Sequence, residues 1–420
     1  MSVPGGLAER RGEESKLEGS VVEVFVGLDW GEQHHQIHAL DSSGTTRLSL
    51  RVAHDRLGLE RLRAALAELG DPSAVGIAIE RREGLLVEHL LAWGHSVYPV
   101  NPKVAARARE GYRAAPVKSD ALDAFALADL LRRQVAVWRP LLLPSETLSE
   151  LQALVRDRER FVIEHRRLQH QLRAVLETYY PAVTHLFSSL DRAITLAFLR
   201  RFPTPEAAAR LTPGRLAGFL RRAGYTGRTD PGILLERLRA HPATPSAGTD
   251  RGRVRSALAL ADLLEHVATV LDGYEAAIAE VLNRHPDARV FASLPGAGPI
   301  TVATLVAEIG EDRSRFPTPG SLLAEAGLAP VTRQSGSSRR VSFRYAANHH
   351  LRAIWQQWML TAIRISPWTR EAYDAARARG QSHSRAIRSV GARWGRILWR
   401  CWLDRQAYDP TLDRRVAMAT

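Results

Sequence analysis

One cysteine, Cys401, in 420 residues leaves no partner for an intramolecular disulfide and no thiolate set for zinc. Long apolar runs are missing too. A long charge-free stretch, residues 291–307, is broken by Pro295, Gly296, Gly298 and Pro299, which leaves it too short and too interrupted to cross a bilayer. The first twenty residues are polar and carry Glu13, Glu14 and Glu18 where a secretory leader needs an apolar segment, so a cytoplasmic protein with no membrane role is expected. Lysine is almost absent: Lys16, Lys103 and Lys118 stand against 55 arginines, a skew that genomic base composition explains better than physics. Lys118 is informative by its place two residues before Asp120, where a compact ammonium can approach a phosphate or a carboxylate.

What the chain has is positive charge, unevenly spread. The formal net charge is +13, and residues 331–420, with 17 arginines and 5 acids, carry +12 of it. A basic segment of this kind is the electrostatic footprint of a polyanion, although a solvated basic surface has the same composition. The length allows two or three domains, each with its own core.

Hydrophobic periodicity divides the chain. Residues 21–29 are apolar, 35–41 alternate, and 45–52 follow a Ser-Ser-Gly turn, which reads as three strands in a meander. Helical spacing over 57–69, a short buried strand at 74–79, a helix at 85–93, a strand at 96–100, a helix start at Asn101-Pro102 and a helix over 119–133 capped by Ser119 complete the order βββαβαβα. That is the order of an RNase H-like α/β sheet. Residues 148–179 read as a charged helix with Leu148, Leu151, Val155, Val162, Leu172 and Leu176 on a heptad seam that Arg158, His165 and Gln169 interrupt. A second long helix, about 253–282, can pair with it antiparallel across a Pro/Gly-rich connection from 202 to 250. The expected division is an α/β catalytic domain at 21–138, a helical coiled-coil spacer and oligomerisation region at 139–285, and a mainly α domain at 286–420.

Asp29 ends the first strand and Glu80 the later buried one. If those strands are parallel neighbours, both acids emerge at the carboxyl edge of the sheet, where open α/β sheets bind ligands. Asp120 and Asp123, three residues apart at a helix N-terminus, share a face. Four converging carboxylates repel one another without a cation, and an all-oxygen set suits Mg2+ or Mn2+; two such ions roughly 4 Å apart serve phosphoryl transfer. Plainer uses exist for each acid: Asp29 can cap a turn, Asp120 and Asp123 complement a helix dipole, and Glu83 and Glu88 compete with Glu80.

Ser335, before a glycine and beside Ser337 and Ser338, sits in a loop with Arg333, Arg339, Arg340 and Arg344. A serine hydroxyl needs a base or metal to become a nucleophile, and no local His or Asp completes a triad. The arginines can bind phosphates bidentately. Asn348 and Arg352 head the next helix, and Trp355, Trp358, Trp368, Trp394, Trp399 and Trp402 interleave with arginines at a spacing that favours a core.

The motifs Gly27-Leu-Asp29, a strand ending in Glu80, Val100-Asn-Pro102, Lys118-Ser-Asp120-Ala-Leu-Asp123-Ala, Leu294-Pro-Gly-Ala-Gly298, Gly327-Leu-Ala-Pro330 leading to Ser335-Gly336, and Tyr408-Asp-Pro410 come in the order seen in one family. The chain resembles the DEDD-type (RuvC-like) transposases of the IS110 family, the bridge-RNA-guided serine recombinases, over almost its whole length. Two departures are Arg81-Arg-Glu-Gly84 after Glu80, where the family often has a Thr-Gly-Gly-like turn, and Ala347 where a glycine is usual before Asn348. The resemblance implies that Asp29, Glu80, Asp120 and Asp123 bind metal and that Ser335 forms a covalent phosphoserine with DNA. It also implies donor and target DNA, a bridge RNA from the same element, and a tetramer built from dimers, with Lys103, Lys118, Arg333, Arg339, Arg340, Arg344, Asn348 and Arg352 as candidate nucleic-acid contacts. The alternatives are a hydrolytic nuclease or Holliday-junction resolvase that uses the four acids alone, and a non-catalytic nucleic-acid-binding protein.

Overall fold

Continuous apolar residues demand a strand covered on both faces, and β1 (Val24–Asp29) is that strand. The computed structural model describes residues 22–112, 119–240, 247–336 and 338–410. It places β1 at the centre of a five-stranded sheet with β2 (His34–Asp41) and β3 (Thr46–Ala53) antiparallel on one side. After helix α1 (Arg56–Ala67), β4 (Val75–Ile79) returns parallel to β1, and after α2 (Leu85–Ala92), β5 (Ser96–Pro99) lies parallel to β4. The order across the sheet is β3-β2-β1-β4-β5. Helices α3 (Pro102–Glu110) and α4 (Asp120–Gln134) follow. One face of the sheet buries Val26, Leu28, Ile77 and Ile79 against Leu62, Leu66, Leu86 and Leu90 of α1 and α2. The other buries Phe25, Ala78 and Tyr98 against Ala105, Leu127 and Leu131 of α3 and α4.

Gly27 sets how closely α4 lies on the sheet. A Cβ there would stand 1.9 Å from the carbonyl oxygen of Ala124 and 2.5 Å from the amide nitrogen of Ala128, so the helix backbone rests directly on the strand. Gly27→Ala must push α4 away, and a loss of about 3 kcal/mol is expected, read from the shift of the urea unfolding midpoint.

His35 on β2 is fully buried, with Nε2 2.8 Å from Nδ1 of His54. Burial first, then the charges of His54 and His34, push its pKa from 6.5 down to about 4. Because the folded value lies below the unfolded one, the unfolded chain takes up the proton first. This contribution is complete above pH 6.5 and is lost as the pH falls through about 4, a change of up to roughly 3 kcal/mol. Unfolding measured at pH 7 and pH 4.5 should show that loss, and His35→Phe should remove most of the difference.

Residues Met1–Pro144 and Ser145–Thr420 form two compact units. In the second, α5 (Glu146–Tyr179) is followed by α6 (Ala193–Arg201), α7 (Pro205–Ala209), α8 (Pro213–Arg222) and α9 (Pro231–Arg239), and then by α10 (Ala247–Arg284). The salt bridge of Arg284 with Glu150 (2.9 Å), the ion pair of Arg158 with Glu275, and the hydrogen bond from Arg253 to the Thr178 carbonyl (3.0 Å) show that α5 and α10 run antiparallel. The seam differs from its expected form at the middle. Leu168 is buried while Val162 is only half-buried, and the polar stretch around Arg158 and His165 separates two cores. Leu168, Leu172 and Leu176 belong to one core with α6, α8 and α9. Among its described residues the stretch 202–250, expected as a connection, thus holds three helices before α10 begins, and they cap the far end of this pair; each begins with Thr or Asp as cap and proline at the first helical position.

Leu148, Leu151 and Val155 belong to the other core, with Ile278, Val281 and Leu282 of α10 and the helices that follow. These are α11 (Ala288–Ala292), α12 (Pro299–Ile309), α13 (Pro319–Glu325), then a hairpin of β6 (Val331–Ser335) and β7 (Ser338–Ser342), and α14 (His349–Ile365), α15 (Pro367–Ala378) and α16 (His383–Asp404). Trp355, Trp358, Trp394 and Trp402 are fully buried there, and Trp368 and Trp399 pack against them. Gly296, at φ 76°, leaves room for α14, whose Ala362 nitrogen would be 2.9 Å from a Cβ. Tyr408 binds the same corner, its amide donating to Ser293 Oγ at 2.8 Å. Among the described residues no helix is long and apolar enough to cross a membrane.

Candidate active site

The sheet register brings the first two acids side by side. Leu28 faces Ile79 across the parallel β1–β4 pair, so Asp29 and Glu80, one residue further on, leave the carboxyl edge on adjacent strands. Ser119 caps α4 by accepting from the amide of Leu122 at 3.3 Å, which starts the helix so that Asp120 and Asp123 occupy its first turn. Asp120 is exposed, whereas Asp123 is buried beside the position where α4 presses on Gly27.

Arg109, at the end of α3, joins two of the four. Its Nη1 lies 3.1 Å from Asp123 Oδ2 and 3.4 Å from Glu80 Oε1. The other oxygen of Asp123, Oδ1, is buried and has no hydrogen-bond partner among the described residues. Asp129, one and a half turns along α4, is also buried, but Tyr112 donates to one of its oxygens and Arg132 binds the other at 2.6 and 3.0 Å. Burial works to raise the Asp129 pKa, yet the hydrogen bonds from Tyr112 and Arg132, with the nearby Arg133 charge, outweigh it and hold the carboxyl below its ordinary value. The two buried acids of α4 therefore differ in kind. Asp129 is saturated by its neighbours; among the described residues Asp123 keeps acceptor capacity on Oδ1.

As the side chains stand, no three acidic, His or Cys groups among the described residues are gathered closely enough to hold a metal ion. The donor chemistry still fits a hard divalent cation, since every candidate is a carboxylate oxygen and one of them is buried with no hydrogen-bond donor to it among the described residues. Lys103 is exposed in the first turn of α3, and Lys118 lies outside the described residues. Two arginines complete the surroundings that no linear spacing pointed to. Arg109 is one; the other is Arg81, whose guanidinium lies 3.5 Å from the centre of the Trp30 ring, beside a cleft that His54 and Glu83 also line.

In the second unit Ser335 ends β6 at the tip of the hairpin. It pairs with Ser338 across a two-residue connection in which Gly336 takes φ 56°, the left-handed conformation such a turn requires. Arg333 pairs with Arg340, so these two side chains share a face of the ribbon with Ser335, and all three are exposed. Ser337 and the Arg339 side chain are outside the described residues. Arg344 and Arg352 serve the loop after the hairpin. Arg344 donates to the Ala329 carbonyl at 3.1 Å, and Arg352 to the carbonyls of Arg344 and Tyr345 at 2.7 and 3.3 Å, while its guanidinium lies over the Phe343 ring. Asn348 caps α14 by accepting from Leu351 at 3.0 Å and donates to the buried Glu308 at 2.6 Å. Arg388 covers Phe343 as well, and burial, with the like charges of Arg385 and Arg352, holds its pKa below the usual arginine value.

Comparison with known proteins covers both units. The model of a DEDD transposase family, described as a transposase, matches residues 26–181, and that of the transposase IS116/IS110/IS902 family matches residues 288–374. A candidate transposase of the IS117 mini-circle from Streptomyces coelicolor is 35% identical over 396 residues, which cover 92% of this chain and 95% of that one. An uncharacterized 42 kDa protein of the insertion element IS900 from Mycobacterium paratuberculosis is 30% identical over 94% of this chain and 99% of its own length. An uncharacterized 43.6 kDa protein of IS110, also from Streptomyces coelicolor, is 28% identical over 95% and 98%.

Proposed function

Because the chain belongs to the IS110/IS116 family of insertion-sequence transposases and is thus a DNA transposase, we propose that it cuts and rejoins DNA by attack of Ser335 on a phosphodiester, assisted by the four acids of the sheet edge. One observation carries the serine's part: Ser335 stands exposed at a hairpin tip with Arg333 and Arg340 on its own face. Two guanidiniums there are placed to grip the phosphate under attack and one flanking it. The Ser335 Oγ forms a bond to phosphorus, the bond from phosphorus to a deoxyribose oxygen breaks, and the serine proton is given up as the deoxyribose hydroxyl leaves. Reversal with a second DNA end as the attacking hydroxyl rejoins the strand and regenerates the serine.

Asp29, Glu80, Asp120 and Asp123 would hold Mg2+ or Mn2+, which supplies charge stabilisation for the phosphoryl oxygens and promotes loss of the serine proton. The strand order β3-β2-β1-β4-β5 supports the RNase H-like, RuvC-like reading of the first unit. On this reading residues 21–138 bind the metal, residues 139–285 form a coiled-coil spacer through which copies associate as dimers and then tetramers, and residues 286–420 carry the serine. Donor and target DNA are selected through a bridge RNA encoded by the element, and Lys103, Lys118, Arg333, Arg339 and Arg340 contact the nucleic acids. Arg344, Asn348 and Arg352 are proposed as further contacts to nucleic acid; Arg344 and Arg352 also donate to carbonyls of the loops beside the hairpin, and Asn348 caps α14.

Denaturing the protein during reaction with matched DNA and RNA tests the proposal. A covalent protein–DNA adduct that maps to Ser335 is expected. Cleavage without any adduct would instead make water the nucleophile and the four acids a hydrolytic centre.

A further inference from the structure

Arg109 puts one nitrogen between two acids that the proposed reaction needs for a cation. The contacts are 3.1 Å to Asp123 Oδ2 and 3.4 Å to Glu80 Oε1, with the Asp123 side chain 3% exposed and that of Arg109 28% exposed. A carboxylate as deeply buried as Asp123 needs a counter-charge, and this guanidinium provides it. The contact is not the parallel two-nitrogen fork that makes arginine–carboxylate pairs strong. Arg132 at least sets two nitrogens on one oxygen of Asp129, as Arg200 does on one oxygen of Asp262, whereas Arg109 spends a single nitrogen on two acids. Among the described residues Arg109 makes no hydrogen bond beyond these two. Its hold on the acids is that of a point charge, which another cation can displace.

We infer that Arg109 is a positioning residue that competes with a divalent cation for Glu80 and Asp123. It holds the two carboxylates together as a single-charge counterion, and it must yield them for the cation to bind. The competition follows from charge and occupancy. A guanidinium and a divalent ion at the same oxygens repel each other, and the lone pairs that accept from Nη1 are not available as ligands. By linkage, whatever the arginine contributes to the folded protein is subtracted from the affinity for the cation. This inference rests on the reading of the four acids as a divalent-cation site.

The test titrates the full-length protein with Mn2+ and follows the free ion by its electron paramagnetic resonance signal, a readout independent of recombination. Arg109→Gln should bind Mn2+ about tenfold more tightly than the wild type, and Arg109→Lys, which keeps the charge, should stay within about twofold of it. Melting in the presence of a chelator should be lower for Arg109→Gln than for wild type, and added Mn2+ should raise it by more. Arg109→Met keeps the aliphatic stem and carries the same expectation if the glutamine variant does not fold. A removed arginine that served only as structural support would leave Mn2+ affinity equal or weaker, and that result overturns the inference. Asp123→Asn separates the two ideas. If wild-type Mn2+ binding survives that change, the acids are not the cation site and the inference falls with that reading; if Asp123→Asn abolishes binding while Arg109→Gln leaves it unchanged, only the role of Arg109 is lost.

Discussion

Replacing Ser335 with alanine is expected to lower strand exchange by at least about a thousandfold while leaving the fold and DNA affinity nearly unchanged. The size of the effect follows from what alanine removes, which is the only atom of that residue able to form a bond to phosphorus. The selectivity follows from the hairpin. Ser335 is exposed at the tip of β6, and no hydrogen bond of its hydroxyl occurs among the described residues, so its loss leaves no buried group unpaired and should move stability by less than about 0.5 kcal/mol. Arg333 and Arg340 remain to bind phosphate. Ser338, its cross-strand neighbour, supplies the control: Ser338→Ala should recombine at close to the wild-type rate. Strand exchange by the Ser335→Ala protein at the wild-type rate would take the serine out of the mechanism.

Asp123→Asn is expected to be as damaging to recombination, by about three orders of magnitude or more, for a different reason. Asparagine keeps the volume and one acceptor oxygen, so packing of α4 against Gly27 is preserved, but it removes a full negative charge from the only one of the four acids that is buried. Arg109 retains Glu80 as a partner, which limits the cost to folding to about 1–2 kcal/mol. Asp129→Asn makes the contrast. That acid is already saturated by Tyr112 and Arg132, so its change should reduce the unfolding midpoint more than the rate of a folded sample. Strand exchange, Mn2+ binding and thermal unfolding measured on both variants separate the roles. An Asp123→Asn protein that recombines normally would remove this carboxylate from the active site.

Much of this was readable along the chain. Strands and helices of the first unit appear where alternation and helical spacing put them, and their parallel pairing at β1 and β4 delivers Asp29 and Glu80 to one edge. The tryptophans of the basic segment went to the core, as their spacing indicated. The 202–250 stretch was harder, because a proline counts as a breaker until the Thr or Asp before it is recognised as a cap; with that pair in view, Thr204-Pro205, Thr212-Pro213 and Asp230-Pro231 each announce a helix. The interrupted seam of α5 was legible as a defect but not as the boundary between two cores, since that depends on what packs at each end.

Residue order by itself determined the elements of the first unit, the strand ends that carry Asp29 and Glu80, the basic C-terminal segment and the serine before a glycine. Periodicity, capping and turn preferences act over a few neighbouring residues, so a linear reading captures them. Only the folded chain decided that Arg109 joins Glu80 to Asp123, that Asp129 is satisfied while Asp123 is not, and that Arg333 and Arg340 flank Ser335 on one face. Each of these depends on side chains from different elements meeting at a distance of a few ångströms, and a Coulomb or hydrogen-bond interaction is set by that distance and by burial, neither of which spacing along the chain records.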